Sequence, residues 1–479
     1  MRHYVAISAL AAGFVVLAGA GQAAAVPRSP DAADGSSGVT ALSCGSPGNC
    51  SAGGYYANSA DDVSQVFVVN EKKGTWGRAA ELAGIASLNV GKSARLESMS
   101  CPSAGNCSAI GFYSIGEDNR RSFVAGEKNG KWGKAQKVPG TQSLEIAGVA
   151  PIMSVSCSSA GNCAAFGTYS TASGTTPSYV VSEARGVWHK AVRLPGVTID
   201  ALSCGAAGNC VAGGYSVAHV ITSSGHAITV GEVHGKWGKP RDLAGTPAKA
   251  SGVPRITAVS CPSAGNCTAG GDYATNDGVQ ALVATESKGA WRKAEQLPGI
   301  AALNVGRNSA LFSLSCASAG NCSTGGYYVD AKGVFEAFVA DERGGSWARA
   351  QEVPGTAALN IGPVGFTAAQ VNALSCRSPG SCGAAGFYTD KKGSQQAFTD
   401  SQTRGSWAKA AEVPGTGALN SGGTADLVAL SCASAGNCGA GGFYTDREDH
   451  PHAFVAGQRG GTWGRAQIIA GLASLSARA

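Results

Sequence analysis

Sixteen cysteines dominate the chemistry this chain could perform, and they fall into eight pairs with one spacing, Cys-x5-Cys: Cys44/Cys50, Cys101/Cys107, Cys157/Cys163, Cys204/Cys210, Cys261/Cys267, Cys316/Cys322, Cys376/Cys382 and Cys432/Cys438. Thiols at this spacing can be oxidised to disulfides or can hold a metal. Structural zinc needs clustered tetrahedral ligands, commonly Cys-x2–4-Cys with a second pair nearby, whereas no histidine recurs with these pairs. The spacing therefore points to eight disulfides and no metal site, and to an oxidising compartment.

Other catalytic chemistry finds little support. There is no Gly-x-Ser-x-Gly elbow and no His-Glu-x-x-His, and His189, His219, His226, His234, His450 and His452 follow no repeat. No cofactor-binding motif is present. The acidic turn Asp446-Arg447-Glu448-Asp449-His450 could attract a cation, but a single acidic turn reads as a solvated turn. Asn49, Asn106, Asn266 and Asn321 open Asn-Cys-Ser or Asn-Cys-Thr triplets, which fit the glycosylation acceptor pattern inside a hairpin that hinders it.

The elements that position the cysteines repeat with them. Eight tryptophans, Trp76, Trp132, Trp188, Trp237, Trp291, Trp347, Trp407 and Trp463, fall one per copy, each two residues after a glycine. A period of roughly 56 residues that accounts for every Cys and Trp is a repeat architecture. In the sixth copy, Leu311–Cys316 alternates, Ala317–Asn321 turns, and Cys322–Tyr328 returns. A third strand at Ala337–Ala340 follows, then the turn before Trp347 and a fourth strand, Trp347–Val353. Four short antiparallel strands per unit make a propeller blade, so the expected fold is all-β, an eight-bladed β-propeller with one disulfide per blade.

A basic start at Arg2 and His3, an apolar stretch to about Ala20 and Ala23-Ala24-Ala25 give residues 1–25 the form of an export signal. Residues 26–38, rich in Pro, Ala, Asp and Ser, read as a flexible leader, and residues 39–479 as the propeller. No later run is long and apolar enough to span a bilayer. Removing Arg2 with the signal leaves 36 Lys and Arg against 31 Asp and Glu, a net charge of +5. That mild excess does not point to nucleic acid. The expected location is extracellular.

The order of a small-residue strand, a Gly-rich second strand, an aromatic third strand and then Gly-x-Trp resembles the Asp-box, or sialidase-type, propeller repeat over residues 39–479. Two features depart from that family. Glu stands where its box has Asp, with Gln402 and Gln458 in the last two copies, and the glycine sits one place nearer the tryptophan. The resemblance implies a propeller and carries over no catalytic residue.

In a propeller the first and third turns share one face, and the second turns and blade connections share the other. The second turns vary in length and charge, as in Ala57–Gln65, Ser114–Arg121, Ser170–Pro177, Asp390–Gln396 and Asp446–His452. The connections vary too, so a binding site is expected on this variable face. Four residues before each first cysteine, the innermost strand carries Thr40, Glu97, Met153, Asp200, Thr257, Phe312, Asn372 and Val428. Glu97, Asp200, Asn372 and Phe312 are the candidate ligand contacts. A cation follows every tryptophan by two residues, from Arg78 and Lys134 to Lys409 and Arg465. It suits an outward edge-strand position, where charge discourages pairing between edges, and could meet an anionic surface. The expected function is a secreted, noncatalytic binding propeller for a glycan or an anionic cell-wall polymer. The alternative is a sialidase-like glycoside hydrolase, which needs a carboxylate pair on one face.

Overall fold

The computed structural model describes residues 35–58, 63–116, 119–144, 151–171, 175–216, 225–246, 252–276, 278–363, 365 and 367–477. The expected signal and most of the leader lie outside these residues, as do parts of the second turns at 57–65, 114–121 and 170–177.

The chain forms eight antiparallel sheets in sequence order. In the first blade, β1 (Ser37–Ser46) pairs with β2 (Asn49–Asn58), β2 with β3 (Val63–Lys72), and β3 with two short pieces, β4 (Thr75–Trp76) and β5 (Ala80–Glu81). The fold is an eight-bladed β-propeller with four strand positions per blade. The fourth strand, expected to be continuous, is broken in each blade. In the sixth blade Glu342 pairs with Trp347 while Val339 pairs with Gln351, so the outer strand carries one extra residue across Ala348–Ala350. Such a bulge bends an edge strand and blunts its pairing.

The first strands stand innermost, and apolar clusters fill the clefts between blades. Leu96, Met99 and Phe123 of the second blade pack with Val66 and Val68 of the first. Eight disulfides join the first two strands of each blade: Cys44–Cys50, Cys101–Cys107, Cys157–Cys163, Cys204–Cys210, Cys261–Cys267, Cys316–Cys322, Cys376–Cys382 and Cys432–Cys438, with Cα separations from 3.9 to 4.1 Å. The Cys-x5-Cys units are thus local staples.

Burial decides what the sixteen cysteines can do. The second cysteine of every pair, Cys50, Cys107, Cys163, Cys210, Cys267, Cys322, Cys382 and Cys438, is buried, whereas Cys157 and Cys316 among the first cysteines are half-buried. The second strand lies between two others of its own sheet, so its side chains point into the clefts between blades. Cys50 packs with Leu42 and Val69, Cys163 with Val155, Cys210 with Leu202, and Cys267 with Cys261 and Val211. Both sulfurs of the Cys432–Cys438 bridge face Gly383 of blade 7, where a Cβ would lie within 3.2 to 3.5 Å of them. These residues belong to the scaffold and form no part of an exposed site, and the thiol chemistry that their number suggests is closed off by bonding and by burial. The grouping Cys101, Cys107 and Glu127 has ligand-like proximity, but both sulfurs are bonded to each other. Among the described residues no helix is long and apolar enough to cross a membrane.

Among the described residues each sheet is built from consecutive strands, and the ring closes without strand exchange between blades 1 and 8. Blade 8 packs directly on blade 1, where Val39, Leu42 and Phe67 meet Ala453, Val455 and Ile469. The short helix Leu472–Ser476 follows the eighth blade, and Leu472 joins the same cluster.

The tryptophans sit at the blade junctions, but seven are only half-buried and Trp407 alone is buried. Each ring packs at the cleft with the preceding blade. Trp132 Nε1 donates to Asn70 Oδ1 of blade 1 at 3.1 Å, and Trp237 Nε1 to Ser182 Oγ of blade 3 at 2.9 Å.

Candidate functional site at the axial mouth

Every innermost strand carries a β-bulge at the same place. In blade 1 Val39 pairs with Gly54 and Ala41 with Gly53, leaving Thr40 as the extra residue; the same shift occurs in the other seven blades. The bulge explains the fixed second-strand glycine. A Cβ at Gly54 would overlap the Gly38 carbonyl oxygen of the same blade, and one at Gly326 would overlap that of Ala310. The crowding comes from the blade's own bulged strand, not from a neighbouring blade.

A bulge re-aims its extra side chain, and here the polar ones reach the next blade. Thr257 Oγ1 donates to the Leu311 carbonyl at 2.6 Å, Thr40 Oγ1 bonds the Leu96 carbonyl, and Asn372 Nδ2 donates to the Leu427 carbonyl at 3.2 Å. Asn372 also donates to Asp426 Oδ1 at 2.7 Å and accepts from Gln370. Among the four candidate contacts it is therefore committed to joining blades 7 and 8.

The other three sit in distinct surroundings. Phe312 is half-buried, its ring 5.5 Å from that of Tyr327, which in turn lies 5.1 Å from Phe335. Glu97 is buried 3.6 Å from Arg95 Nε, and burial pushes its carboxyl up to about 7 against the pull of Arg95 and Arg120. Burial likewise raises Asp200 to about 7, opposed by Arg255 and reinforced by the Asp272 charge. Asp200 Oδ2 is enclosed without a hydrogen-bond partner among the described residues. Arg255 itself is paired with Asp272 at 3.1 Å. The structure thus gathers Asp200, Arg255 and Asp272 at the junction of blades 4 and 5, and Glu97 with Arg95 at that of blades 1 and 2.

The residue after the fixed glycine adds a feature whose place at the mouth depends on the bulge register. It is Tyr55, Phe112, Tyr215, Tyr327, Phe387 or Phe443 in six blades, with Thr168 and Asp272 in blades 3 and 5. In register it lies opposite the sixth residue before each first cysteine: Gly38 faces Tyr55, Ala310 faces Tyr327, and Asp426 faces Phe443. Five of these rings are half-buried, while Phe112 is buried. Cations cover two of them, with the Arg95 guanidinium 5.4 Å from the Tyr55 centroid and that of Arg120 4.6 Å from Phe112. The mouth therefore presents aromatic rings interleaved with Arg, Asp, Glu and Gln.

Elsewhere, repeated polar residues are occupied by the scaffold. The box glutamates are buried inter-blade ties: Ser51 donates to Glu127 at 2.9 Å, Ser108 to Glu183 at 3.0 Å and Thr285 to Glu342 at 3.0 Å. Burial raises the pKa of all three. On the opposite face, the Gly74 amide donates to the Gly48 carbonyl at 2.7 Å, joining the third turn to the first, and every blade repeats this bond. Asn49 Nδ2 donates to Ser46 Oγ at 3.1 Å while its Oδ1 accepts from the Lys73 amide at 3.2 Å. The connection asparagines are tied as well; Asn89 donates to the Ser64 carbonyl at 2.9 Å and accepts from the Ser114 amide at 3.3 Å. In the acidic turn Asp446 accepts from the Glu448 and His450 amides and lies 2.8 Å from His452 Nε2, so its carboxylate is used within the loop. A cavity of about 290 Å³ between blades 6 and 7 is lined by Ser323, Asp341 and Gln402, whose polar atoms bond one another at 2.6 and 2.7 Å.

No protein-family model and no curated protein matches the chain. Solved propellers do. Sqt1 from Chaetomium thermophilum aligns over 88% of this chain and 95% of its own with a TM-score of 0.50 at 12% identity. The BP39L lectin from Burkholderia pseudomallei aligns over 79% and 99% with a TM-score of 0.40 at 14% identity. The fucose-specific lectin from Aleuria aurantia aligns over 66% and 95%, with a TM-score of 0.33 at 10% identity. At these identities the likeness concerns the propeller fold.

Proposed function

We propose that this chain is an exported, noncatalytic glycan-binding propeller whose ligand sits at the axial mouth on the variable face. The carrying observation is the set of partly exposed aromatic rings one strand out from the axis, interleaved with Arg95, Glu97, Asp200, Arg255 and Asp272. Sugar rings present apolar C–H faces and polar edges, and sites that bind such amphipathic molecules combine aromatic surface with a few placed polar groups. In this reading Tyr55, Tyr215 and Tyr327 supply platforms, Phe312 extends the last of them, and Glu97 and Asp200 orient hydroxyl groups. Asn372 acts indirectly, holding Asp426 in place.

The eight disulfides point to an oxidising environment. We extend this to secretion, with residues 1–25 as the removed signal, and read the repeat as an Asp-box variant in which Glu takes over as an inter-blade tie. The amino-terminal mass of the exported protein tests the cleavage.

The functional test is a glycan array followed by calorimetry on Tyr327→Ala and Phe387→Ala. Each substitution should weaken binding at least about tenfold, the loss of 1.4 kcal/mol of contact. Substitutions of Ser318 and Asn321, on the other face, should leave affinity unchanged. A wild-type protein that binds no glycan, or mouth variants that bind as wild type does, would overturn the reading. Turnover of an aryl glycoside that Asp200→Asn abolishes would replace it with the hydrolase.

A further inference from the structure

Exposed charge on the disulfide-turn face is of one sign, whereas the variable face mixes Lys92, Arg307, Lys332, Lys391, Lys392 and Arg447 with Glu448 and Asp449. Among the described residues, no exposed Asp or Glu lies on any first or third turn: Glu71, Glu127, Glu183, Glu232, Glu286 and Glu342, beside the third turns, are all buried between blades. Exposed acids lie elsewhere, as at Glu448 and Asp449 in a second turn or Glu81 and Glu295 at the far end of the outer strand. The small net charge of the chain conceals this concentration of cations on one face.

The third turns show that the basic side is more than a lack of acids. Both central residues of each turn have positive φ, and the first is Lys73 (49°), Arg185 (53°), Lys288 (51°) or Arg404 (51°) in four blades. Turns of this shape favour Asn, Asp or Gly at that position, since a longer side chain gains nothing locally from the left-handed conformation. Asp occupies it in no blade. Where the residue is Asn129 or His234, Lys131 or Lys236 follows two places later; where it is Gly344 or Gly460, Arg343 or Arg459 precedes it. Every blade therefore places a cation at this tip by one route or another. Arg343 and Arg459 also bond the next blade's turn, at the Gly405 and Gly74 carbonyls. Lys73, Arg185, Lys288 and Arg404 are exposed, and among the described residues no carboxylate lies within 4.0 Å of them.

We propose that the disulfide-turn face is a docking surface for a linear phosphodiester polymer, separate from the glycan site at the mouth. Its cations are spread one or more per blade around a ring instead of converging on a pocket, which suits an extended polyanion and not a small anion. Mixed Lys and Arg give both point-charge and forked contacts to phosphate oxygens. The turn tips offer Gly, Ser, Thr, Ala and Val beside the cations, with no exposed aromatic ring to stack on a base and few large apolar side chains to enter a bilayer. Bound through this face, the protein would turn its mouth away from the polymer.

The test titrates the full chain with poly(glycerol phosphate) across a salt series. Binding should weaken steeply as salt rises, because association releases condensed counterions. The variant Lys73→Asn, Arg185→Gly, Lys288→Gly, Arg404→Gly removes four charges and installs residues the turn prefers. It should bind at least about tenfold more weakly, with Tm equal to or above that of wild type. Exchanging Lys73→Arg and Arg185→Lys should preserve binding. Unchanged affinity in the fourfold variant, a fall in its Tm, or loss of binding on the Lys/Arg exchange overturns the proposal. So does tighter binding of duplex DNA, or of phosphatidylglycerol vesicles, than of the polymer. Tyr327→Ala leaves polymer binding intact if the two sites are distinct, whatever its effect on glycan.

Discussion

The amide of Cys44 donates a 3.0 Å hydrogen bond to Ser431 Oγ, joining the first blade to the eighth across 387 residues of sequence. The serine before each first cysteine makes the same bond to the next blade at all seven other junctions, at 2.9 to 3.0 Å. A closed ring of eight Ser-to-Cys bonds thus encircles the axis, and the first and eighth blades meet by the same contact that joins consecutive blades. Ser431→Ala should cost about 1 to 2 kcal/mol by leaving a partly buried N–H without its acceptor. Ser43→Ala should cost the same. Urea denaturation of both checks this; a much smaller loss for Ser431→Ala would mean the terminal junction is already open.

Gln402 Nε2 donates to Asp341 Oδ2 at 2.7 Å across blades 6 and 7, where earlier blades use a box Glu against a hydroxyl or amide. The exchange has a physical cause. With Asp341 on the facing strand, a glutamate would set two carboxylates against each other. Gln402→Glu should therefore destabilise the protein by about 1 to 3 kcal/mol at neutral pH and less at pH 4, where one carboxyl protonates. Adding Asp341→Asn should restore most of the loss. If the double variant is no more stable than Gln402→Glu alone, the two side chains do not interact.

The tryptophans give a graded expectation. Trp407 is 9% exposed and packs among Val339, Leu374 and Phe398, whereas Trp291 is half-buried against Ala269 and Leu282. Trp407→Ala should cost about 3 to 5 kcal/mol and Trp291→Ala about 2 to 3 kcal/mol, the smaller figure following the smaller buried area. Equal losses in chemical denaturation would show that both rings contribute through the turn geometry and not through burial.

The blade count, the disulfide pairing and the division into two faces were legible because each depends on local spacing, and eight copies repeat that spacing. The bulge at Thr40 and its counterparts was not, although the variable residue and the invariant Gly54 both result from it. Sequence alone cannot show which of two facing strands carries an extra residue. Contacts such as Asn372 to Leu427 and Ser51 to Glu127 join residues 55 and 76 positions apart, beyond any local pattern. The ring of rings from Tyr55 to Phe443 did leave a signal, an aromatic after the fixed glycine in six copies. It was readable as a strand residue, but its place near the mouth depends on the register set by the bulge.

Mouth carboxyls should make stability fall as pH rises. Burial raises Glu97, Asp200 and Asp426 from ordinary carboxyl values near 4 to about 7. Between these limits the folded protein holds protons that the unfolded chain releases, so unfolding is favoured by increasing pH. The stabilisation is fully present below the unfolded pKa and lost as pH climbs through about 7. Glu97→Gln keeps a neutral side chain in place, removing about 1 to 3 kcal/mol of this dependence. The variant should match wild type near pH 4 and exceed it at pH 8, as measured by urea denaturation across the range. Glycan binding should follow the same titration if Glu97 orients a hydroxyl, since the protonated carboxyl can donate and the ionised one only accepts. A wild-type stability that stays level or rises from pH 4 to 8 would show that water reaches these carboxyls, and that the mouth is more open than the geometry indicates.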